Sequence, residues 1–271
     1  MSGPHRADRS YRTCWWSYGR NRRNRRYRRS RLTVPLRILS FLLICGAIVA
    51  ALILFFRVRT ITVEGNERYS DQEILDATGI ETGDNMFLLN KYAISGEMMR
   101  QLPYIQTVQI RRNLPDGLVI RVTECESVAA VIQGDDTWLI SDTGKLLERT
   151  DQAGAGALPR IEGCQLLLPT VSSTMELPAD SPISEERLLE LIDKLEGRGM
   201  LADVEWISCA DEEILEFRYL DRFTVQLLYD ADFDQKLFAL EQIVEEYLED
   251  NEKGTIILTM PDKGNFRPDL S

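Results

Sequence analysis

The amino-acid sequence predicts an α+β protein with a single N-terminal transmembrane helix, then a β-α-α-β-β module and a second β-rich domain with flanking helices. Three observations lead to this prediction. Residues 38–56 form one uncharged apolar stretch, which has the length of a membrane span. Beyond it, short segments alternate between β-branched and polar residues, as half-buried strands do. Between them lie amphipathic segments that begin with helix-capping residues.

Charge is distributed unevenly along the 271 residues, whose net formal charge is −11. Residues 1–37 contain twelve arginines, no lysine and a single acid, Asp8, so this segment carries +11 and residues 38–271 carry −22. The dense part of this basic segment, residues 20–31, has almost no apolar residues and cannot bury a core, so a disordered arm is predicted. Such an arm could bind nucleic acid, but membrane topology alone explains its charge, and no nucleic-acid partner is expected.

The apolar stretch at residues 38–56 is predicted to be an uncleaved membrane anchor. As a helix it is about 28 Å long at about 1.5 Å per residue, close to the hydrocarbon thickness of a bilayer. The alternative is a cleavable signal peptide, which has a shorter apolar core and ends at a small-residue site, whereas this stretch ends in Leu54-Phe55-Phe56. Because positive flanks stay in the cytoplasm, we expect residues 1–37 inside, near anionic inner-leaflet lipid, and residues 57–271 outside.

The first outer module has the predicted order β-α-α-β-β. Ser70 and Glu73 form a capping box, in which the hydroxyl and the carboxylate each satisfy an N–H at a helix start, and Gly79 ends that helix. Pro103 ends the second helix, because proline cannot continue it. Residues 113–117 contain Pro, Asp and Gly, which indicate the turn of a hairpin. The predicted elements are strands at 58–64, 105–112 and 118–124 and helices that begin after Ser70 and at about residue 91.

A basic arm and one span precede a set of short motifs in this module. The motifs are Val63-Glu-Gly-Asn66, Ser70-Asp-Gln-Glu-Ile74, Gly83-Asp-Asn-Met-Phe87, Leu102-Pro-Tyr-Ile105 and Val108-Gln-Ile-Arg-Arg-Asn-Leu-Pro-Asp-Gly117. In this order and position they resemble the bacterial cell-division family FtsQ/DivIB, in which the module is a POTRA domain. The resemblance covers about residues 20–270 and is strongest over 57–132. The family commonly continues with Glu-Arg-x-Pro, of which Thr123-Glu-Cys-Glu-Ser127 retains only the Glu.

The remainder of the chain is predicted to form a second, β-rich domain of the FtsQ/DivIB type. Its predicted strands lie at 128–133, 138–140, 145–147, 204–209, 214–220, 223–229 and 255–259, and its helices at 184–196 and 233–248. Residues 158–163 resemble a recurring segment of the family, without a predicted strand. The resulting domains are a basic cytoplasmic arm at 1–37, the span at 38–56, a POTRA domain at 57–125, the β-rich domain at 126–260 and a polar tail at 261–271.

The outer part of the sequence lacks the residues of common catalytic and metal sites. The only histidine is His5, in the arm, which excludes outer Ser-His-Asp triads and His-based zinc sites. There is no Ser-x-x-Lys, Gly-x-Ser-x-Gly or Walker-type motif. We therefore expect no enzyme, metal, cofactor or small-molecule substrate, with a carboxylate-dependent hydrolase as the less favoured alternative. The three outer cysteines, Cys125, Cys164 and Cys209, allow at most one disulfide plus a free thiol, and three scattered buried thiols are expected instead.

The C-terminal end of the β-rich domain is the candidate binding site. Its last predicted strand is apolar and can offer a sheet edge to a partner strand. The resemblance implies the same region, because the final helix and strand of FtsQ/DivIB proteins receive FtsB/DivIC, which is paired with FtsL. Alternatively, Ile256 and Leu258 are core residues and the edge is covered. Carried over by position, the partner-binding residues are Tyr247, Leu248, Thr255, Ile256, Ile257, Leu258 and Thr259.

The resemblance implies a non-enzymatic divisome scaffold, enriched at the division septum, that binds FtsB/DivIC- and FtsL-like proteins and helps to control septal peptidoglycan synthesis. The alternative function is that of a POTRA-bearing, chaperone-like envelope protein that binds secreted polypeptides. Proteins of that class usually continue into an outer-membrane barrel. Residues 128–271 lack the regular alternating strands of about ten residues that such a barrel needs.

Overall fold

The computed structural model describes residues 33–249, 251–260 and 263–269. Most of the predicted basic arm, with His5 and Cys14, lies outside the described residues. The chain divides into two compact units, Met1–Ala51 and Leu52–Ser271. The second unit contains both the β-α-α-β-β module and the β-rich domain.

Helix α1, Thr33–Phe55, corresponds to the predicted span. It begins five residues before the predicted boundary, and Pro35 lies in its first turn, where a missing N–H costs nothing. Among the described helices, α1 alone is long and apolar enough to cross a membrane, and its window Pro35–Leu52 has no residue buried inside the protein. An apolar helix without protein packing is the arrangement expected where lipid covers the side chains.

The predicted order of the outer module is confirmed. Its elements are β1 (Thr60–Glu64), α2 (Asp71–Thr78), α3 (Lys91–Gln101), β2 (Ile105–Asn113) and β3 (Gly117–Glu124). The strands form a three-stranded sheet in the order β1-β3-β2, with β1 parallel to β3 and β2 antiparallel to it. Side chains from both helices and from the sheet share one core, formed by Ile74, Ala77, Met98, Leu102, Ile105, Ile120 and Val122.

The capping signals that predict α2 are present in the structure. The backbone N–H of Ser70 donates to the Glu73 carboxylate at 2.8 Å, and the backbone N–H of Glu73 donates to the Ser70 hydroxyl at 3.3 Å. Gly79 follows the helix with a φ of 61°, a left-handed conformation that glycine adopts without a Cβ penalty. Both ends of α2 are therefore determined by local chemistry.

The second domain is built on one nine-stranded sheet. Its strands are β4 (Ala129–Gln133), β5 (Asp136–Ile140), β6 (Leu146–Thr150), β7 (Arg160–Glu162), β8 (Val204–Ser208), β9 (Ile214–Tyr219), β10 (Phe223–Leu228), β11 (Gly254–Ile257) and β12 (Asn265–Pro268). Their order is β12-β11-β10-β9-β8-β7-β4-β5-β6. The pairs β4–β7, β7–β8 and β10–β11 are parallel.

Two helices pack against this sheet, α4 (Glu185–Gly197) and α5 (Phe233–Gln242). Side chains from both helices and from the strands share one hydrophobic core, which includes Leu188, Leu191, Ile192, Leu195, Phe217, Phe223, Phe233, Leu237 and Leu240. The α-helix predicted over 233–248 is wrong at its end, because α5 stops at Gln242 and a π-helical turn, Ile243–Tyr247, follows.

Two strands of the sheet are missing from the sequence prediction, β7 and β12. The polar tail predicted at 261–271 is wrong over β12, which pairs with β11 and extends the second domain past residue 260. Strand β7 has three residues, and its partners β4 and β8 are distant in sequence. Neither strand has the length or the alternation that a sequence pattern needs.

The three outer cysteines are buried free thiols, as expected, and two of them lie close to each other. Residues at the ends of β7 and β8 pair, Glu162 with Ser208, and the backbone N–H of Cys209 donates to the Glu162 carbonyl at 2.8 Å. This pairing brings the side chains of Cys164 and Cys209 close enough to shift each other's pKa. The sequence does not predict this contact, because its pattern indicates no strand at β7.

Side chains from the module and from the β-rich domain are buried together. Tyr104, Cys125, Ala130, Leu139, Leu147 and Ala155 form this shared cluster. The Lys145 ammonium donates to the Ile105 carbonyl at 2.8 Å and to the Met99 carbonyl at 3.2 Å, and burial lowers its pKa. The Tyr104 hydroxyl also donates to the Glu148 carboxylate at 3.1 Å. Apolar packing and polar contacts thus join the two parts of the second unit.

Candidate partner-binding edge

The strand that carries most of the predicted site, β11, is not an edge strand. It pairs with β10 on one side and with β12 on the other. The side chains of Ile256 and Leu258 are fully buried in the domain core, so they cannot contact a partner directly. The alternative prediction, that these two residues are core and the β11 edge is covered, is therefore correct for them. Thr255, Ile257 and Thr259 are half-buried.

Strand β12 is the outermost strand at this end of the sheet. The other end is β6, whose edge is partly occupied, since Leu146 exchanges backbone hydrogen bonds with the loop at Ser172 and Ser173 over 2.7 and 2.8 Å. No strand of the described part of the chain lies beyond β12. Its outer edge is the position at which a further strand can add.

The register shows which backbone groups of β12 face outward. The backbone N–H of Asp269 donates to the carbonyl of Lys253 at 3.0 Å, and hydrogen-bonded positions alternate along an antiparallel pair. Thr255 and Arg267 then form the next bonded pair. Ile257 and Asn265 form the bonded pair after that. Phe266, between Arg267 and Asn265, therefore directs its N–H and carbonyl away from β11.

Close packing holds β12 against the domain. The Phe266 ring contacts the Phe223 ring edge-on, with centroids 6.1 Å apart. A Cβ atom at Gly254 would collide with the Arg267 carbonyl oxygen and lie 2.9 Å from the Pro268 Cα, so only glycine allows this approach. The Lys236 ammonium donates to the carbonyl of Met260 in the connecting loop.

The end of α5 meets the same corner of the domain. A side-chain carbon at Gly264 would lie 2.6 Å from Ile243 Cδ1, so the loop before β12 passes directly against the π-helical turn. Leu248 packs against the core from the end of this turn. Tyr247 instead has 75% of its surface exposed. An exposed tyrosine at the end of this turn offers a partner a large apolar ring and a hydroxyl for hydrogen bonding.

Outside this corner, the described residues form no metal site, and the polar groups of a cavity already have partners. They contain no group of three His, Cys, Asp or Glu side chains that could hold a metal ion. A cavity of about 780 Å³ is lined by Arg68, Tyr104 and Glu124, but these groups have partners. Glu124 accepts three backbone N–H groups, and the Arg68 guanidinium lies 3.6 Å from the Tyr104 ring centroid.

Comparison with known proteins identifies the family to which this chain is related. The family described as "POTRA domain, FtsQ-type" matches residues 56–124. The chain is 30% identical over 207 residues to the cell division protein FtsQ of Geotalea daltonii, and the aligned residues cover 71% of this chain and 68% of that protein. The chain belongs to the FtsQ/DivIB family. This result confirms the resemblance inferred from the motifs.

Two further FtsQ/DivIB proteins show the same relationship at smaller coverage. The FtsQ of Syntrophotalea carbinolica is 30% identical over 194 residues, which cover 70% of this chain and 65% of that protein. The DivIB of Clostridium acetobutylicum is 32% identical over 141 residues, which cover 52% and 53%. The chain thus spans about half to two thirds of the length of these two relatives. Both are named as cell division proteins and not as enzymes.

Proposed function

We propose that this chain is a non-enzymatic, membrane-anchored scaffold of the division machinery whose β12 edge binds an FtsB/DivIC-like protein paired with an FtsL-like protein. The observation that carries the proposal is the unpaired outer edge of β12, whose preceding loop packs against the π-helical turn that ends in the exposed Tyr247. Family membership supports a role in cell division. The basic arm is proposed to be cytoplasmic, the outer domains extracytoplasmic and the protein enriched at the septum, where its partners would control septal peptidoglycan synthesis.

In this proposal the binding residues fall into two groups. The partner strand pairs with the outward backbone groups of Phe266, and Tyr247 and Leu248 supply an apolar contact at the helix end. Thr255, Ile257 and Thr259 contribute by supporting β12. Ile256 and Leu258 act from the core, because both are buried. The short length of β12 and its Pro268, which lacks an N–H, limit indiscriminate pairing with other chains.

The proposal is tested by substitutions of Phe266 in the full-length chain, co-expressed with the FtsB/DivIC- and FtsL-like proteins of the same organism and purified from membranes. Phe266→Leu and Phe266→Pro both remove the ring, but only the proline removes the outward N–H. We expect Phe266→Leu to retain the partners. Phe266→Pro should weaken binding by about tenfold, as expected for the loss of one backbone hydrogen bond.

Tyr247→Ala provides an independent test, because Tyr247 is exposed and its loss leaves the strand pairing intact. We expect a loss of affinity of about tenfold or more, as for an aromatic residue at the centre of an interface.

Equal urea midpoints for the two Phe266 variants would show that the proline has not unfolded the domain. Unchanged partner recovery with both Phe266→Pro and Tyr247→Ala would contradict the proposal.

A further inference from the structure

Three large apolar side chains are exposed at the end of the POTRA domain where the chain leaves α1. They are Phe87, Leu88 and Leu114, with exposed fractions from 49% to 74%. They come from two loops, since α3 begins at Lys91 and β2 ends at Asn113. We call these three residues the juxtamembrane patch. Single exposed apolar residues are common, but a cluster of this kind marks an interaction surface.

Backbone contacts hold the patch beside the first residues after α1. The Met86 N–H donates to the Phe56 carbonyl at 3.2 Å, and the Val58 N–H donates to the Asp84 carbonyl at 2.8 Å. The Phe56 and Phe87 rings meet edge-on at 5.1 Å between centroids. The loop that carries Phe87 and Leu88 is therefore fixed against residues 56–58.

The hairpin that carries Leu114 is fixed to the same stretch. The N–H of Arg59 donates to the carbonyl of Asp116 at 2.8 Å. Helix α1 ends at Phe55 and β1 begins at Thr60. The four residues between them span at most about 14 Å when fully extended. If α1 crosses the bilayer, both loops lie within about that distance of its surface.

Basic residues surround the patch. Arg57, Arg59, Arg111 and Arg112 are all exposed. The Arg112 guanidinium lies 5.0 Å from the Phe87 ring centroid and donates to the Met86 carbonyl at 2.7 Å. Two acids of these loops already have partners, since Asp84 accepts the Glu81 N–H at 3.0 Å and Asp116 is 3.9 Å from Arg59. The surface thus combines aromatic and aliphatic side chains with excess positive charge.

We propose that the juxtamembrane patch inserts into the lipid interface of the membrane that α1 spans, with the surrounding arginines at anionic headgroup phosphates. Aromatic side chains and long basic side chains are the residues that favour this interface. The proposal goes beyond partner binding at β12 and rests on α1 as the membrane anchor. A second contact with the bilayer restricts rotation of the outer domain about residues 56–59. The orientation of the β12 edge towards membrane-anchored partners is then restricted as well.

Quenching of tryptophan fluorescence by brominated lipid tests the proposal. The full-length chain is reconstituted in vesicles of phosphatidylcholine and phosphatidylglycerol, with and without brominated acyl chains. Trp15 and Trp16 are replaced by Phe, whereas Trp138 and Trp206 remain in every variant as a constant background. A new tryptophan is introduced by Leu88→Trp in the patch or, as a matched control, by Leu168→Trp at an exposed leucine of the β-rich domain. Leu43→Trp in α1 is the positive control.

We expect strong quenching of the added fluorescence with Leu43→Trp, clear quenching with Leu88→Trp and none with Leu168→Trp. Quenching with Leu88→Trp no greater than with Leu168→Trp, while Leu43→Trp is quenched, would overturn the proposal and leave the anchor intact. This is also the result expected if a protein partner or a second copy of the chain covers the patch. Absence of quenching with Leu43→Trp would overturn the anchor and the patch together, so the two failures are distinguishable.

Discussion

The carboxylate of Glu124 accepts a 2.7 Å hydrogen bond from the backbone N–H of Arg68. It also accepts the N–H groups of Glu67 at 3.0 Å and Tyr69 at 3.2 Å. Glu124 is the last residue of β3, and the three donors precede α2 directly. One side chain therefore satisfies three consecutive backbone donors and connects the end of the POTRA sheet to the entry of its first helix.

We predict that Glu124→Ala lowers the free energy of unfolding by about 1–3 kcal/mol, because hydrogen bonds to a charged acceptor are lost and three N–H groups must find water. Urea unfolding of the full-length chain in detergent micelles measures the change. Glu126→Ala is the matched control, since Glu126 is an exposed carboxylate two residues away, and it should change the value by less than about 0.5 kcal/mol. Equal effects of the two substitutions would contradict the role of Glu124.

Gly254→Ala should loosen β12. The added Cβ would collide with the Arg267 carbonyl, and overpacking of this kind costs about 1–3 kcal/mol. We expect faster hydrogen exchange at the Arg267 N–H and a lower free energy of unfolding. Gly96→Ala in α3 is the control, since nothing lies within 4 Å of its Cβ position and alanine favours helix. Unchanged exchange at Arg267 would show that the strand tolerates the methyl group.

The capping box of α2 should lose its contribution to stability in acid. Hydrogen bonds from the Ser70 hydroxyl and backbone N–H lower the pKa of Glu73 from its usual 4.5. The Glu73 carboxylate therefore binds a proton more tightly in the unfolded chain than in the folded protein. The stabilisation by the capping box is then complete above about pH 4.5 and is lost as the pH falls through the pKa of Glu73 in the folded protein. We expect the protection of the backbone amides at the start of α2 against hydrogen exchange to depend less on pH in Glu73→Gln than in the wild type.

Ser70→Ala should have the same effect on this pH dependence, because it removes the hydroxyl that contacts Glu73. The double substitution should then add little to either single one. A wild-type pH dependence in Glu73→Gln would contradict the assignment to this carboxylate.

The buried thiol pair should be unreactive in the folded protein. Both side chains are buried, with 3% of Cys164 and none of Cys209 exposed, so a reagent cannot reach them while the domain is folded. The contact with Cys164 and burial also raise the pKa of Cys209, and a neutral thiol is a poor nucleophile. In a Cys14→Ser, Cys45→Ser, Cys125→Ser background, we expect neither thiol to react with a disulfide reagent until urea unfolds the chain. Leu168→Cys, at a position that is 91% exposed, should react at once. Reaction of the native pair at a comparable rate would contradict the prediction.

Local signals in the sequence account for most of the elements. The capping box at Ser70 and Glu73, the stop at Gly79 and the hairpin around Asp116 are all present in the structure. The sequence predicts less of the candidate site than of the fold. Tyr247 and Thr255 come to the corner that the sequence predicts, but the edge strand itself, β12, has no recognisable pattern. A signal could have been found in Phe266, an aromatic residue within an otherwise polar segment.

The sequence by itself determined the apolar span, the order β-α-α-β-β and the family, because each depends on residues that are close together in the chain. Tertiary structure alone decided that β11 is covered, that Ile256 and Leu258 are core, and that Cys164 meets Cys209. The physical reason is that strands find partners across long sequence distances, and the pairing is selected by burial of whole faces. A strand of three or four residues carries too little local preference to reveal its place in the sheet.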